Sequence, residues 1–164
     1  MNEQLVALAE DAGKILLKYF KKNIGVQTKT SPFDFVTQAD MEADTFIRNK
    51  LRELFPNDLI LSEESSDIPE SFDGNVWMVD PLDGTKGYIN DSSSFAVMIG
   101  LCKNGVPELG IVYAPARDKL YYAEKGKGAY LRENGALLRR IQRQHLPELR
   151  HICPRTIARS PYMK

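Results

Sequence analysis

The stretch "VDPLDGTKGY", Val79 to Tyr88, holds two aspartates three residues apart, Asp80 and Asp83, with a proline between them. An apolar run, "VWMV", delivers the chain to this pair, and Gly84 and Thr85 follow it. Asp, Pro and Gly are turn residues, so composition alone is satisfied by a plain turn. Three further features shift the reading toward chemistry. "SEES" puts Glu63 and Glu64 just after the preceding apolar run "LIL", Asp40 falls in the first turn of a helix, and the chain after Gly84 reads as a short helix starting at Thr85. Carboxylate oxygens are the ligands that hard cations prefer. On one tight turn Asp80 and Asp83 would serve two ions between them, with Asp80 bridging. The backbone carbonyl of Leu82 adds an oxygen, and Glu63 arrives from the neighbouring strand end. Carboxylates gathered in this way repel each other, and a cation relieves them. The N–H groups of Gly84 and Thr85, at a helix start, would then receive a phosphate. Ions about 4 Å apart facing a phosphate activate water and stabilise the leaving oxygen, so hydrolysis is the chemistry to expect.

The elements that must position these groups follow from periodicity. Leu5, Leu8, Ala9, Ala12, Ile15, Leu16, Tyr19 and Phe20 recur at helical spacing, and "NIG" at 23–25 ends that helix. A second helix is predicted from Ala39 to Phe55, with Ala43, Phe46, Ile47, Leu51 and Leu54 on one face and Pro56 closing it. Thr37 and Asp40 fit a capping pair, so Asp40 has a structural reading beside its chemical one. From "LIL" at 59–61 onward the period changes to that of strands. "FAVMIGLC", "ELGIVYA", "KLYYAE" and "AYLRE" form a meander, punctuated by Asn104-Gly105, Pro115–Asp118, Gly126 with Gly128, and Asn134-Gly135. The fold class is therefore α+β: two N-terminal helices packed on a mostly antiparallel sheet.

With the motifs in order, the chain resembles the inositol monophosphatase superfamily of magnesium-dependent, often lithium-sensitive phosphatases. "DPLDGT" after a hydrophobic strand, the upstream "EES" and the earlier "SPFDFVTQAD" carry the resemblance, which covers nearly all of residues 1–140. Lys86 after the threonine is closer to the 3'(2'),5'-bisphosphate nucleotidases than to the inositol monophosphatases. The resemblance implies the N-terminal half of a layered αβαβα sugar-phosphatase fold and Mg2+, with Mn2+ as an alternative ion. It implies a first metal site of Glu63, Asp80 and the Leu82 carbonyl, and a second that includes Asp80 and Asp83. Glu64 is implied to hold metal-bound water, and Asp40 with Thr85 to orient and deprotonate the attacking water. Asp83, Gly84 and Thr85 would hold the substrate phosphate, and Lys29 would act from a loop over the site. The expected substrate is a small phosphate ester such as 3'-phosphoadenosine 5'-phosphate or an inositol monophosphate.

Family members are usually longer, and a Trp-Asp…Ala-Ala-Gly motif in their second half completes the second metal site. That motif is absent from these 164 residues, and "IARS" at 157–160 resembles the start of the second half. The chain is thus expected to be the family's N-terminal half, as a fragment or a natural truncation. The second ion would then lack a ligand, and a catalytically weak metal- or phosphate-binding remnant, or an assembly partner, is the alternative function. Residues 1–140 read as the α+β domain and 141–164 as a basic tail leading onward. Apolar surface left for an absent layer would favour a homodimer.

The formal net charge is zero, so the whole molecule is not an obvious polyanion binder. The basic tail, which carries both histidines, reads as a solvated connection rather than a nucleic-acid site. No apolar run approaches the ~20 residues of a membrane span. The N-terminus lacks a secretory pattern, and Cys102 and Cys153 show neither metal nor redox spacing, which fits a reducing cytoplasm.

Overall fold

The computed structural model describes residues 1–20, 26–28, 35–65, 73–90, 92–136 and 139–141, with backbone only at 26–28, 35–37 and 139. The expectations placed on Lys29, on the "NIG" stop and on the basic tail with His145, His151 and Cys153 lie outside the described residues.

Helix α1, Glu3–Tyr19, buries Leu5, Leu8, Ala9, Ala12 and Leu16, a single stripe at helical spacing. Asn2 caps it, its Oδ1 accepting the N–H groups of Gln4 at 3.1 Å and Leu5 at 3.4 Å. Gly13 lets the helix lie close on the sheet: a Cβ there would sit 2.5 Å from the ring of Tyr113. Helix α2, Gln38–Leu54, buries Ala39, Ala43, Ile47 and Leu51 and, unusually, Asp40 and Asp44. The predicted span differs from it by one residue at each end.

A two-stranded antiparallel ribbon, β1 (Val26–Thr28) with β2 (Phe35–Thr37), precedes α2 and was not foreseen from its short, polar sequence. The main sheet has seven strands: β3 (Leu59–Ser62), β4 (Asn75–Asp83), β5 (Ala96–Lys103), β6 (Val106–Ala114), β7 (Lys119–Glu124), β8 (Gly128–Glu133) and β9 (Arg139–Ile141). They lie in sequence order. Only the β3–β4 pair among them is parallel, and the rest form the expected meander. A five-residue helix, α3 (Thr85–Ile89), starts where predicted, in the β4–β5 connection. Asn104 and Asn134 both take φ 50° ahead of glycines with positive φ, the geometry that two-residue hairpin turns demand.

Alternation along the strands sends Trp77, Val79, Val97, Ile99, Ile111, Leu120 and Tyr122 under the helices. Trp77 anchors this layer: its ring meets Phe55 at 4.8 Å, and its Nε1–H donates to Asp58 at 2.9 Å. A smaller cluster, Ala96, Ala114, Tyr121, Leu131 and Ile141, occupies the opposite face and is also buried. Met98, Val112 and Ala129 pack beside it, half-buried. No helix among the described residues is long and apolar enough to cross a membrane.

Candidate active site

The segment read as a tight turn is instead the bulged end of β4. Asp80 pairs with Met98 and Asp83 with Ala96, so three steps along β4 match two along β5. The extra residue bends the strand end. Pro81 is tolerated there because a bulge spares it a ladder N–H. The Leu82 N–H turns back to Asp80 Oδ1 at 3.2 Å, and the Thr85 hydroxyl donates to the Leu82 carbonyl at 3.0 Å. Gly84 takes φ 86°, and a Cβ on it would sit 2.5 Å from the carbonyl oxygen of Ser94. Only glycine fits both demands, and the backbone leaves the bulge straight into α3.

Parallel pairing of β3 with β4 sets Ser62 opposite Val79. The Glu63 N–H donates to the Val79 carbonyl at 3.0 Å, which brings the Glu63–Glu64 corner alongside Asp80. The first turn of α2 supplies Asp40, buried like Asp83. Three carboxylates thus act on Asp80. Asp80 is pushed up to about 9, first by burial and then by the negative charge of Glu63, Asp83 and Asp40. Burial and the same Asp40 charge raise the Tyr88 phenol as well. Oδ1 of Asp40 and Oδ2 of Asp83 are shielded from water and take no hydrogen bond among the described residues, although both carboxylates act electrostatically on Asp80.

The donors suit a hard cation in chemistry: carboxylates and a backbone carbonyl, all oxygen. Their side chains do not yet close on an ion, since no group of three among the described residues is gathered tightly enough to hold one. The structure brings Asp40, Glu63, Asp80, Leu82, Asp83 and Thr85 to one strand end. Glu64 stands beside them, half-buried, and Gly84 provides the bend. The resemblance pairs Thr85 with Asp40, whereas here its hydroxyl lies on Leu82.

Sequence reasoning missed a buried cluster beside the corner. Asp44 accepts Arg48 Nε at 2.7 Å and a second guanidinium nitrogen at 2.6 Å, and it also accepts the Ser62 hydroxyl. The i,i+4 spacing of Asp44 and Arg48 was the available signal. An open cleft of about 630 Å³ lies elsewhere, lined by Asn2, Phe55, Trp77, Tyr122 and Lys127 among others, and includes none of the predicted site residues.

The strand end thus gathers carboxylates beside a glycine bend that leads into a helix. The model of the inositol monophosphatase family matches residues 1–159, and the chain belongs to that family. It is 36% identical over 124 residues to an inositol-1-monophosphatase of Bacillus subtilis, covering 75% of this chain and 47% of that protein. It is 35% identical over 140 residues to the 3'(2'),5'-bisphosphate nucleotidase CysQ of Aggregatibacter actinomycetemcomitans, covering 84% and 52%. The solved extragenic suppressor protein suhB of Bartonella henselae superposes with a TM-score of 0.73 at 35% identity, over 79% of this chain and 50% of that one. The chain spans about half the length of the relatives it matches. The near-equal identities to a monophosphatase and a bisphosphate nucleotidase do not separate the two substrate types.

Proposed function

We propose that this chain carries the metal-binding part of a magnesium-dependent phosphoric monoester hydrolase. The observation that carries the reading is the gathering of Glu63, Asp83 and Asp40 around Asp80 at the bulged end of β4. Such a cluster costs folding energy and is relieved by a divalent cation. Glu63, Asp80 and the Leu82 carbonyl would hold one Mg2+ or Mn2+, and Asp80 with Asp83 would contribute to a second. When bound, the ions supply charge that polarises water and steadies the leaving oxygen.

The protein's own groups do the rest. Asp80 gives up a proton to become a ligand. Asp40, buried at the start of α2, would take the proton of an attacking water, which Glu64 and Thr85 would help to orient. The amides of Gly84 and Thr85 would receive the phosphate, and Asp83 and Lys29 would complete the substrate set. The substrate is a small phosphate ester, with 3'-phosphoadenosine 5'-phosphate favoured by Lys86 and inositol monophosphate second.

A second reading is a protein that binds metal and phosphate with little turnover. It is favoured by the failure of any three donors among the described residues to converge on one point. One experiment tests both. Phosphate release from the two substrates is measured with Mg2+ and with EDTA, for the wild type and Asp80→Asn. Magnesium-dependent release that Asp80→Asn abolishes supports the hydrolase. Metal binding without release supports the second reading, and release that survives EDTA overturns the first.

A further inference from the structure

Strand β3 is four residues long and ends the sheet order, with β4 as its partner. Its last ladder bond is the Glu63 N–H to Val79. A terminal strand this short frays unless something holds its end. The next N–H, that of Glu64, donates to the Ser62 hydroxyl oxygen at 3.3 Å instead of to a strand. That hydroxyl in turn donates to Asp44, and Asp44 is held by two nitrogens of Arg48. Ser62 and Asp44 are each 2% exposed. A hydroxyl that gives its proton to a buried carboxylate becomes a better acceptor for the amide behind it. The chain of bonds therefore runs from α2 to the backbone of the corner.

Asp44 also lies four residues after Asp40, on the same side of α2. One rigid helix thus carries the carboxylate that faces the acidic cluster and the carboxylate that ties down the corner. Arg48 holds the second through two guanidinium nitrogens, so its charge is matched on α2 itself.

We infer that Asp44, Arg48 and Ser62 form a positioning device that presents the Glu63–Glu64 corner to the cation, so that a buried serine sets metal affinity without touching metal. The inference rests on the metal-dependent reading above. It assigns Asp44 a positioning role and excludes it from the ligand set.

The test uses the 164-residue chain, Mn2+ as the probe, calorimetry for affinity and amide exchange of Glu64 in the metal-free protein. Ser62→Ala is expected to bind Mn2+ about tenfold more weakly, the lower end of what outer-shell partners of metal ligands cost. Its Glu64 amide should exchange faster. Ser62→Thr keeps the hydroxyl and should restore both. Asp44→Asn keeps the volume, weakens the acceptor and should fall between. Wild-type affinity and protection in Ser62→Ala, or failure of Ser62→Thr to restore them, overturns the positioning role. Asp80→Asn is the control for the site itself. If it binds Mn2+ as the wild type does, the underlying site reading falls; if it loses the ion while Ser62→Ala does not, the positioning inference alone falls.

Discussion

Asp80→Asn should stabilise the metal-free protein while removing its response to metal. Asp80 ordinarily ionises near 3.8, and in the folded chain it is pushed up to about 9. The sign follows from which state holds the proton. Below about pH 4 the carboxyl is protonated folded and unfolded alike, and it contributes nothing. As pH rises through the unfolded value, unfolding releases the proton, and folding pays a penalty that grows until about pH 9. At pH 7 the gap of about 3 units from the unfolded value corresponds to a ceiling of about 4 kcal/mol. Relaxation and water entry reduce this, and about 2 kcal/mol is a reasonable working figure. Asparagine keeps the shape and the acceptor for the Leu82 N–H, yet it never carries the charge. In EDTA at pH 7 the variant should melt about 4–8 °C above the wild type. The difference should vanish near pH 4. Added Mg2+ should raise the wild-type melting temperature and leave the variant unmoved. A variant that melts below the wild type in EDTA at pH 7, or that gains as much from Mg2+, would refute the reasoning.

Other consequences can be measured directly. Because Asp80 is largely protonated at pH 7 in the metal-free chain, uptake of an ion should expel about one proton, and affinity should rise about tenfold per pH unit up to about pH 9. Calorimetry in buffers of different ionisation heat reads this, and zero proton release contradicts it. Gly84→Ala forces a Cβ against the Ser94 carbonyl at positive φ and should cost about 2 kcal/mol or more in denaturant unfolding; an unchanged midpoint would mean that the bend is not strained. Asp58→Ala leaves the Trp77 Nε1–H, and the Asn75 amide at 3.1 Å, without their acceptor. A loss of about 1–3 kcal/mol is expected, with a change in Trp77 fluorescence.

The helices were legible because their apolar residues recur at a period that only a helix satisfies, and Pro56 sits where the second one ends. The meander was legible from its turns: Asn104-Gly105, both at positive φ, joins Lys103 to its partner Val106 and fixes that register locally. The bulge was not. Asp-Pro-Leu-Asp has turn composition, and what makes it a strand end is Met98 and Ala96 on β5, residues far along the chain. The β1–β2 ribbon escaped for a similar reason, since three-residue strands without alternation carry no periodic signal. At the site, the carboxylates were found by type and by order along the chain. Their convergence depends on parallel pairing of β3 with β4, which no short motif encodes. Asp44 was overlooked because an i,i+4 Asp–Arg pair usually marks an exposed helix face, and here that face is buried.

The contrast between Asp44 and Asp80 is the strongest physical argument for a ligand. Both are aspartates within the fold, yet their surroundings treat charge in opposite ways. Asp44 has a guanidinium at 2.6 Å and a serine hydroxyl, so its charge is matched by donors. Among the described residues Asp80 receives the Leu82 N–H and faces the negative charge of Glu63, Asp83 and Asp40. If the strand end served stability alone, an amide or a hydroxyl at position 80 would accept the Leu82 N–H equally well without the repulsion. The chain that matches a buried aspartate with its own arginine on α2 gathers, at the neighbouring strand end, carboxylates whose charge raises Asp80. A proton on Asp80 relieves that repulsion in the metal-free chain, and an oxygen-rich cluster of this kind suits a small, hard, divalent cation in its place.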